Sequence, residues 1–592
     1  MTTPLKRLGR KYAAPQWRWY LGGTVALIIT NIIVLEIPQL AKKVINALAA
    51  GTPLDSFTTL SLAIIGLGLA QVLIRTTSRM MIFWPGRALE AAVKDDVFSH
   101  MLRVPSSLLS RFSIGDLTSR LNNDITQLRI FFAFGALQVL NVIFISIFTV
   151  SKMASIDPIL TALAISPMIP MLLLTKFMMP RLYKSMREST EAMGRLTGKI
   201  SETFSQAHVI QTMNAHGAMM SRITPDNDAI FEANVRTIWI RTLIWPVMII
   251  LMGLSQFATL AWGGRQIIAG HLSVGDIMAF NIYIGMLTFP FASLGIILNV
   301  YQRAKPASER LEDISGLAKE DDATQSLSPA RRLDGEPLLE VSHLSFSWTD
   351  DRRVLDDISF TLCQGERLGI YGSIGSGKST LFNIITRLLS YKEGSIKLRG
   401  QNILEMRPSA VRKSIAYGLQ QPLLFSESVR SNLCLGLDEE QVSLYELERC
   451  TKQAQVYDDI MRLPETWDTL IGEKGIKLSG GQKQRLALAR LLLRPAEIII
   501  LDDVISAVDH DTEHRLIDSL LKTKAALVIA SHRTSILEPC DKVLVMKEGR
   551  IVSFGKFSEV RALIETIASE EEAKSIDLGS KKSVHESTEV RI

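Results

Sequence analysis

Cysteine is scarce in this sequence: there are four in 592 residues, Cys363, Cys434, Cys450 and Cys540, all in the second half. None stands at a paired metal-ligand spacing, so neither a disulfide framework nor a zinc site is expected, and the thiols read as reduced and cytosolic. Missing too is any basic stripe with interleaved aromatics, which removes nucleic acid as the partner for a net charge of +6. The absence that decides most is of charge itself. Residues 56–74, 130–151, 242–264 and 277–302 contain no Asp, Glu, Lys or Arg, and each run is long enough to cross about 30 Å of hydrocarbon. With 47% hydrophobic against 21% charged residues and a mean hydropathy of +0.19, the composition leans away from an ordinary soluble enzyme.

Two further runs bring the spans to six. Residues 158–175 are of marginal length, and 19–35 begin a span that must carry Glu36 near its outer end. The expected helices are about 19–40, 56–80, 130–152, 158–180, 240–264 and 276–302, inside a membrane domain of residues 1–320. The first is read as a transmembrane helix rather than a cleaved leader, because the small-residue stretch "ALAAG" (47–51) lies well past the apolar run. Lys6, Arg7, Arg10, Lys11 and Arg18 at the N-terminus, and eight Lys or Arg between Arg75 and Arg129, put both segments in the cytoplasm. Residues 75–130 and 181–237 keep an apolar period, which predicts helices running on into the cytoplasm, with a break at Gly115.

After the sixth span the chain changes character. Residues 321–337 read as a linker, 338–567 as an α/β domain in which short β-rich runs alternate with helical patterns, and 568–592 as a charged, disordered tail.

Inside the α/β region "GSIGSGKST" (372–380) fits G-x-x-x-x-G-K-[ST] with a strand before it and a helix after it. Gly372, Ser373, Gly375, Ser376 and Gly377 would turn backbone amides toward phosphate oxygens. Lys378 would supply charge, Ser379 a hydroxyl to Mg²⁺, and Thr380 the next helical position. "IIILDD" (498–503) reads as a buried strand ending in Asp502, which would hold the magnesium shell. "LSGGQ" (478–482) puts Ser479, Gly480, Gly481 and Gln482 at a helix start, where free amides favour an anion.

P-loop, LSGGQ, aliphatic strand ending in Asp, and an isolated histidine in "IASHR" (529–533) together resemble the nucleotide-binding domain of an ATP-binding cassette (ABC) transporter. The resemblance covers nearly the whole chain, since "GDLTSRLNNDI" (115–125) and "GHLSVGDIMAF" (270–280) look like the exporter membrane domain. "IGEKG" (471–475) is similar to the contact loop of exporters rather than importers. The implied fold is an α-helical polytopic domain of six transmembrane helices fused to an α/β P-loop NTPase domain. ATP and Mg²⁺ are the implied cofactors, and the implied place is the cytoplasmic (inner) membrane, multi-pass, with the N-terminus and ATPase domain in the cytoplasm. By the same resemblance Trp348 in "FSW" stacks on adenine, Gln420 in "YGLQQP" is a magnesium ligand that senses the membrane half, and His532 meets the γ-phosphate.

One position departs from the family's pattern. Asp503 stands where glutamate usually polarises the attacking water. One methylene less shortens its reach by roughly 1 Å, and misplacement on that scale can cost on the order of 10²-fold in rate. Family resemblance implies that two such domains close head to tail and share each ATP. An intact LSGGQ with an altered carboxylate then resembles one half of a heterodimeric exporter of the bacterial multidrug or lipid type, with one degenerate site. The substrate would be hydrophobic or amphipathic, a drug, lipid or peptide, and membrane lipids would be partners. Two alternatives stand beside it: a homodimeric lipid or peptide exporter hydrolysing slowly at both sites, and a membrane regulator or channel that binds ATP without transport. Glu36 is a candidate for meeting cationic substrates or for snorkelling, and Trp245, Phe257, Tyr283 and Phe289 are candidate cavity residues against a packing role.

Overall fold

The computed structural model describes residues 3–49, 54–320, 336–349, 352–472, 478–505 and 510–570. The chain forms two compact units, Met1–Leu102 with Phe112–Gly316, and Arg103–Arg111 with Leu317–Ile592. Most of the linker and tail expected from the sequence, and residues 473–475 of "IGEKG", lie outside the described residues.

The first unit is built from long helices because its apolar runs carry no charge, and prolines such as Pro246 and Pro290 are accommodated within them. The helices are Trp17–Ala49, Leu54–Met101, a helical stretch Ile114–Ile156, Pro158–Ile165, Met168–Ser205, His216–Ile268 and Val274–Ser315. Among the described residues, five helical stretches are long and apolar enough to cross a membrane. The fourth expected span is interrupted: Pro158–Ile165 ends, and a new helix starts at Met168 after Pro167, a residue that cannot donate to the ladder. The break expected at Gly115 comes earlier. The long helix ends at Met101 and, after the short helix Ser106–Leu109, helix resumes at Ile114, where the Ser113 hydroxyl accepts the Asp116 N–H at 3.1 Å.

Side chains in this unit are arranged as a bilayer demands. Leu62, Ile65, Leu69 and Leu73 face outward, while Ser255, Thr259 and Ser293 are fully buried and donate to backbone carbonyls of their own helices. Glu36 is paired with Lys152 at 2.8 Å, so the intramembrane carboxylate has a partner on the third span. Tyr283 is completely buried; its hydroxyl donates to the Leu35 carbonyl and accepts from Gln39, each at 3.0 Å. That is a packing role. Phe257 and Phe289 are exposed, and the Trp245 side chain lies outside the described residues.

At the cytoplasmic end the buried Asp124 carboxylate pairs with Arg310, and Arg120 donates to the Arg310 carbonyl at 2.5 Å and to Asp116 at 2.9 Å. These contacts tie the third helical stretch to the last one. Because Arg310 is half exposed and can rehydrate, Asp124→Ala should cost about 1–2 kcal/mol, below the range for fully buried pairs. The check is the thermal unfolding midpoint of the purified transporter, which should fall by a few degrees.

The second unit contains two sheets. An antiparallel sheet runs β2 (Arg352–Leu362), β1 (Leu339–Thr349), β4 (Glu393–Leu398), β5 (Gln401–Asn402). The other runs β10 (Arg550–Gly555), β9 (Lys542–Lys547), β3 (Arg367–Gly372), β8 (Ala526–Ala530), β7 (Ile498–Asp502), β6 (Ile415–Gly418). From β9 to β6 every pairing is parallel. The aliphatic run of β7 is therefore covered on both faces, and all five of its residues are buried. Among the described residues three apolar cores result, two of which carry the site elements and the third of which packs Leu537, Val543, Val545 and Ile564. Of the two that carry the site, one includes Ile370, Leu381, Phe382 and Ile500 beneath the P-loop; the other includes Leu447, Leu486, Ala489 and Ile499 and carries the helix Gly480–Leu493.

Candidate nucleotide site

In an open parallel sheet, ligands bind beyond the carboxyl ends of the strands. Here β3, β6, β7 and β8 all point the same way, and each is followed by one of the sequence-predicted groups: the P-loop after β3, Gln420 after β6, Asp502 and Asp503 at and after β7, His532 after β8. Register brings them level, with Asp502 opposite Ala530 and Gly418 opposite Leu501.

The loop after β3 turns on two glycines in the left-handed region, Gly375 at φ +82° and Gly377 at φ +100°. A Cβ at Gly377 would come within 2.7 Å of Leu355, so glycine is required there for both conformation and space. Lys378 opens the helix Lys378–Ile385. Its ammonium donates back to the carbonyls of Gly372 and of Ser373, the latter at 3.0 Å. Ser376 is buried 3.4 Å from the same ammonium. The cation is thus held inside a ring of loop backbone, the arrangement that presents a positive charge and inward amides to phosphate.

Next to it the Ser379 hydroxyl donates to Asp502 at 2.6 Å, and Asp502 is only 3% exposed. A hydroxyl and one buried carboxylate side by side are hard oxygen donors of the kind Mg²⁺ takes from protein while keeping water and phosphate for its other positions. The residues fit the metal.

The residue after Asp502 turns sharply. Asp503 sits at φ +51°, its N–H bonded to the Ala530 carbonyl at 3.1 Å, a strained conformation that Asp tolerates better than most residues. Burial raises its carboxyl above the ordinary carboxylate value, opposed by the charges of His532, Lys378 and Arg533 and reinforced by Asp502. Asp503, His532 and Lys378 are accordingly electrostatic neighbours. His532 packs edge-on to Tyr371 with ring centroids 6.3 Å apart.

Not every predicted residue joins this cluster. Gln420 is exposed in the loop after β6 and makes no side-chain hydrogen bond among the described residues. Trp348 is 61% exposed on β1, against Phe346 at 5.4 Å, with a face open to solvent. The signature residues are on the other core: Ser479 and Gln482 cap the helix Gly480–Leu493 reciprocally, at 2.9 and 3.2 Å, and Gln482 donates to Asp459 at 2.9 Å. Ser479 and Gly480 face solvent, with no bond to the P-loop among the described residues.

Two features escaped the sequence reading. Tyr417, at the end of β6, donates to Asp502 at 3.3 Å; the signal was its place in "YGLQQP" on the strand next to β7. Glu513, 1% exposed, takes the Arg533 guanidinium and the Ser535 hydroxyl, bracing the turn that carries His532. Nothing in the spacing pointed to Glu513.

Fold and site define a P-loop ATPase joined to a polytopic helical membrane region. Residues 20–291 match the ABC transporter transmembrane region and residues 355–506 the ABC transporter ATPase family. The chain is 30% identical to a probable multidrug resistance ABC transporter ATP-binding/permease protein, YheI, of Bacillus subtilis, over 95% of this chain and 96% of the relative. It is 28% identical to the multidrug resistance-like ATP-binding protein MdlA of Escherichia coli, over 92% of each chain. Against the ATP-dependent lipid A-core flippase of Pseudomonas aeruginosa it is 32% identical over 79% of this chain and 77% of the relative. A bacterial Atm1-family ABC exporter solved with ATP bound shares the fold, with a TM-score of 0.75 and 21% identity over 94% of this chain and 99% of that one. The chain belongs to the ABC transporter family, as an exporter: a multi-pass membrane protein whose cytoplasmic ATPase is coupled to transport.

Lys378→Ala removes the only cation held by the loop backbone among the described residues, and a charge-assisted contact of about 1.5–3 kcal/mol with it. ATP affinity measured with a fluorescent nucleotide should fall about 10- to 100-fold. Tyr417→Phe leaves Ser379 on Asp502, so ATP turnover should drop less than about tenfold, the scale of one neutral hydrogen bond.

Proposed function

We propose that this chain is one half of an ATP-driven exporter of hydrophobic or amphipathic compounds and pairs with a second, different ABC half. The observation that carries the reading is Asp503, a short carboxylate where the family's water-polarising glutamate is expected. In this account residues 338–567 form the ATPase domain. Its P-loop residues Gly372, Ser373, Gly375, Ser376, Gly377, Lys378, Ser379 and Thr380 bind the phosphates, Trp348 stacks on adenine, and Asp503 completes a slow site. Ser479, Gly480, Gly481 and Gln482 close on the ATP held by the partner; the exposure of Ser479 and Gly480 supports this, since a capped helix start facing solvent is free to meet a second chain.

Mg²⁺ would be held by Ser379 and Asp502, with Gln420 joining on closure, and when bound it offsets charge between the β- and γ-phosphates. His532 holds the γ-phosphate from the side of β8, and Asp503, beside it, orients water with a reach shorter by roughly 1 Å than glutamate would have. The printed names of the relatives, multidrug proteins and a lipid A-core flippase, favour an apolar or amphipathic substrate. A homodimer with two slow sites is the second reading, favoured by the retained His532 next to Asp503.

Asp503→Ala decides between them. With the assembled transporter, ATP turnover should stay within about twofold of the unaltered protein if the working base lies in the partner; a loss on the order of 10²-fold would make Asp503 a working base and remove the asymmetry.

A further inference from the structure

The helices Met168–Ser205 and Val274–Ser315 line a cavity of about 610 Å³ near the cytoplasmic ends of their apolar runs. The charge-free run of the sixth span ends at Gln302, and Arg303 is the first charge beyond it. Lys184 and Arg187 reach the same cavity from the other helix, and no carboxylate among the described residues lines it. Arg187 is engaged by Glu191 at 3.3 Å, and the neighbouring Glu188 lies 3.5 Å from Arg236. Lys184 and Arg303 form no ion pair among the described residues, and the side-chain amides of Asn299 and Gln302, also in the lining, make no hydrogen bond there. Between these polar groups the wall is apolar, with Pro180, Met186 and the Tyr183 ring.

Basic residues at the cytoplasmic ends of spans serve orientation, but orientation needs only that they lie in the right loop. It does not gather unpaired cations from two helices into one concave, half-apolar space. Two like charges facing a shared cavity repel, and an anion between them relieves this while accepting charge-assisted hydrogen bonds. The amides supply further donors, and the apolar wall offers a place for methylenes next to the charged head.

We propose that this cavity binds an anionic amphiphile, Lys184 and Arg303 taking the phosphate or carboxylate head and Pro180 and Met186 the first part of the chain. The inference deepens the exporter reading above and rests on it for the nature of the cargo, although binding itself does not require transport. The same oxygen chemistry occurs in a free phosphate ion, so the test must separate the two sources.

The experiment uses the full-length transporter in its native assembly, in nanodiscs of zwitterionic phosphatidylcholine, titrated calorimetrically with decyl phosphate, decyltrimethylammonium and inorganic phosphate. Decyl phosphate should bind saturably and at least about tenfold more tightly than either of the others, with affinity falling as salt rises. Lys184→Gln with Arg303→Gln should weaken it about tenfold at an unchanged unfolding midpoint, and Lys184→Arg with Arg303→Lys should keep it within about threefold. Should the neutral pair fail to fold, the comparison of the three probes on the unaltered protein still decides. Equal affinity for inorganic phosphate would make this a free-anion site, equal affinity for the cation would make it a merely apolar one, and a neutral variant that folds and binds like the unaltered protein would remove both cations from the site. Each overturns the proposal. ATP-driven uptake of the amphiphile into vesicles is read separately: charge-dependent binding without uptake supports the site and removes the exporter reading, whereas uptake without charge-dependent binding does the reverse.

Discussion

A carboxylate at the end of a fully buried aliphatic strand must find its donors within the protein. Asp502 finds them in the Ser379 hydroxyl and the Tyr417 phenol, one from the P-loop helix and one from the neighbouring strand. That requirement fixes the rest of the ATPase unit. Its parallel sheet must set β6, β7 and β3 in an order that brings both donors to one point, and the β7 aliphatics must be covered on both faces to hold the strand end there. The Lys378 ring and the Asp503–His532 neighbourhood then follow from register alone, since they occupy the ends of strands already aligned.

The second core explains why one chain does not bring all the chemistry together. LSGGQ is built on a helix capped by Ser479 and Gln482, the Gln482 amide also donating to Asp459, and its buried face packs on Leu447 and Ile499 rather than on the P-loop core. Its exposed start has amides directed at solvent, a surface that suits a phosphate delivered by another chain. On the proposed reading, this seating of the LSGGQ helix on a core other than the P-loop's is why each site would be shared.

Much of this was legible in the sequence because it depends on local rules. Glycines at 375 and 377, an all-aliphatic strand ending in Asp502, and charge-free runs of twenty or so residues each imply their structure without reference to distant chain. What was not legible depends on contacts between distant segments. Tyr417 becomes a donor to Asp502 only through the pairing of β6 with β7, 85 residues apart, and Lys152 becomes the partner of Glu36 across 116 residues. Gly115 is the visible breaker in the sequence, but the resumed helix is set by the Ser113 cap, whose hydroxyl satisfies the Asp116 amide.

The central claim is that this chain's short carboxylate belongs to an asymmetric pair of sites. The most direct measurement is the subunit composition and mass of the complex that carries this chain, purified by a tag from its own membrane. The account predicts a second, different ABC half at one to one, with glutamate where this chain has Asp503. A complex made of this chain alone would contradict it, because both sites would then depend on the same aspartate.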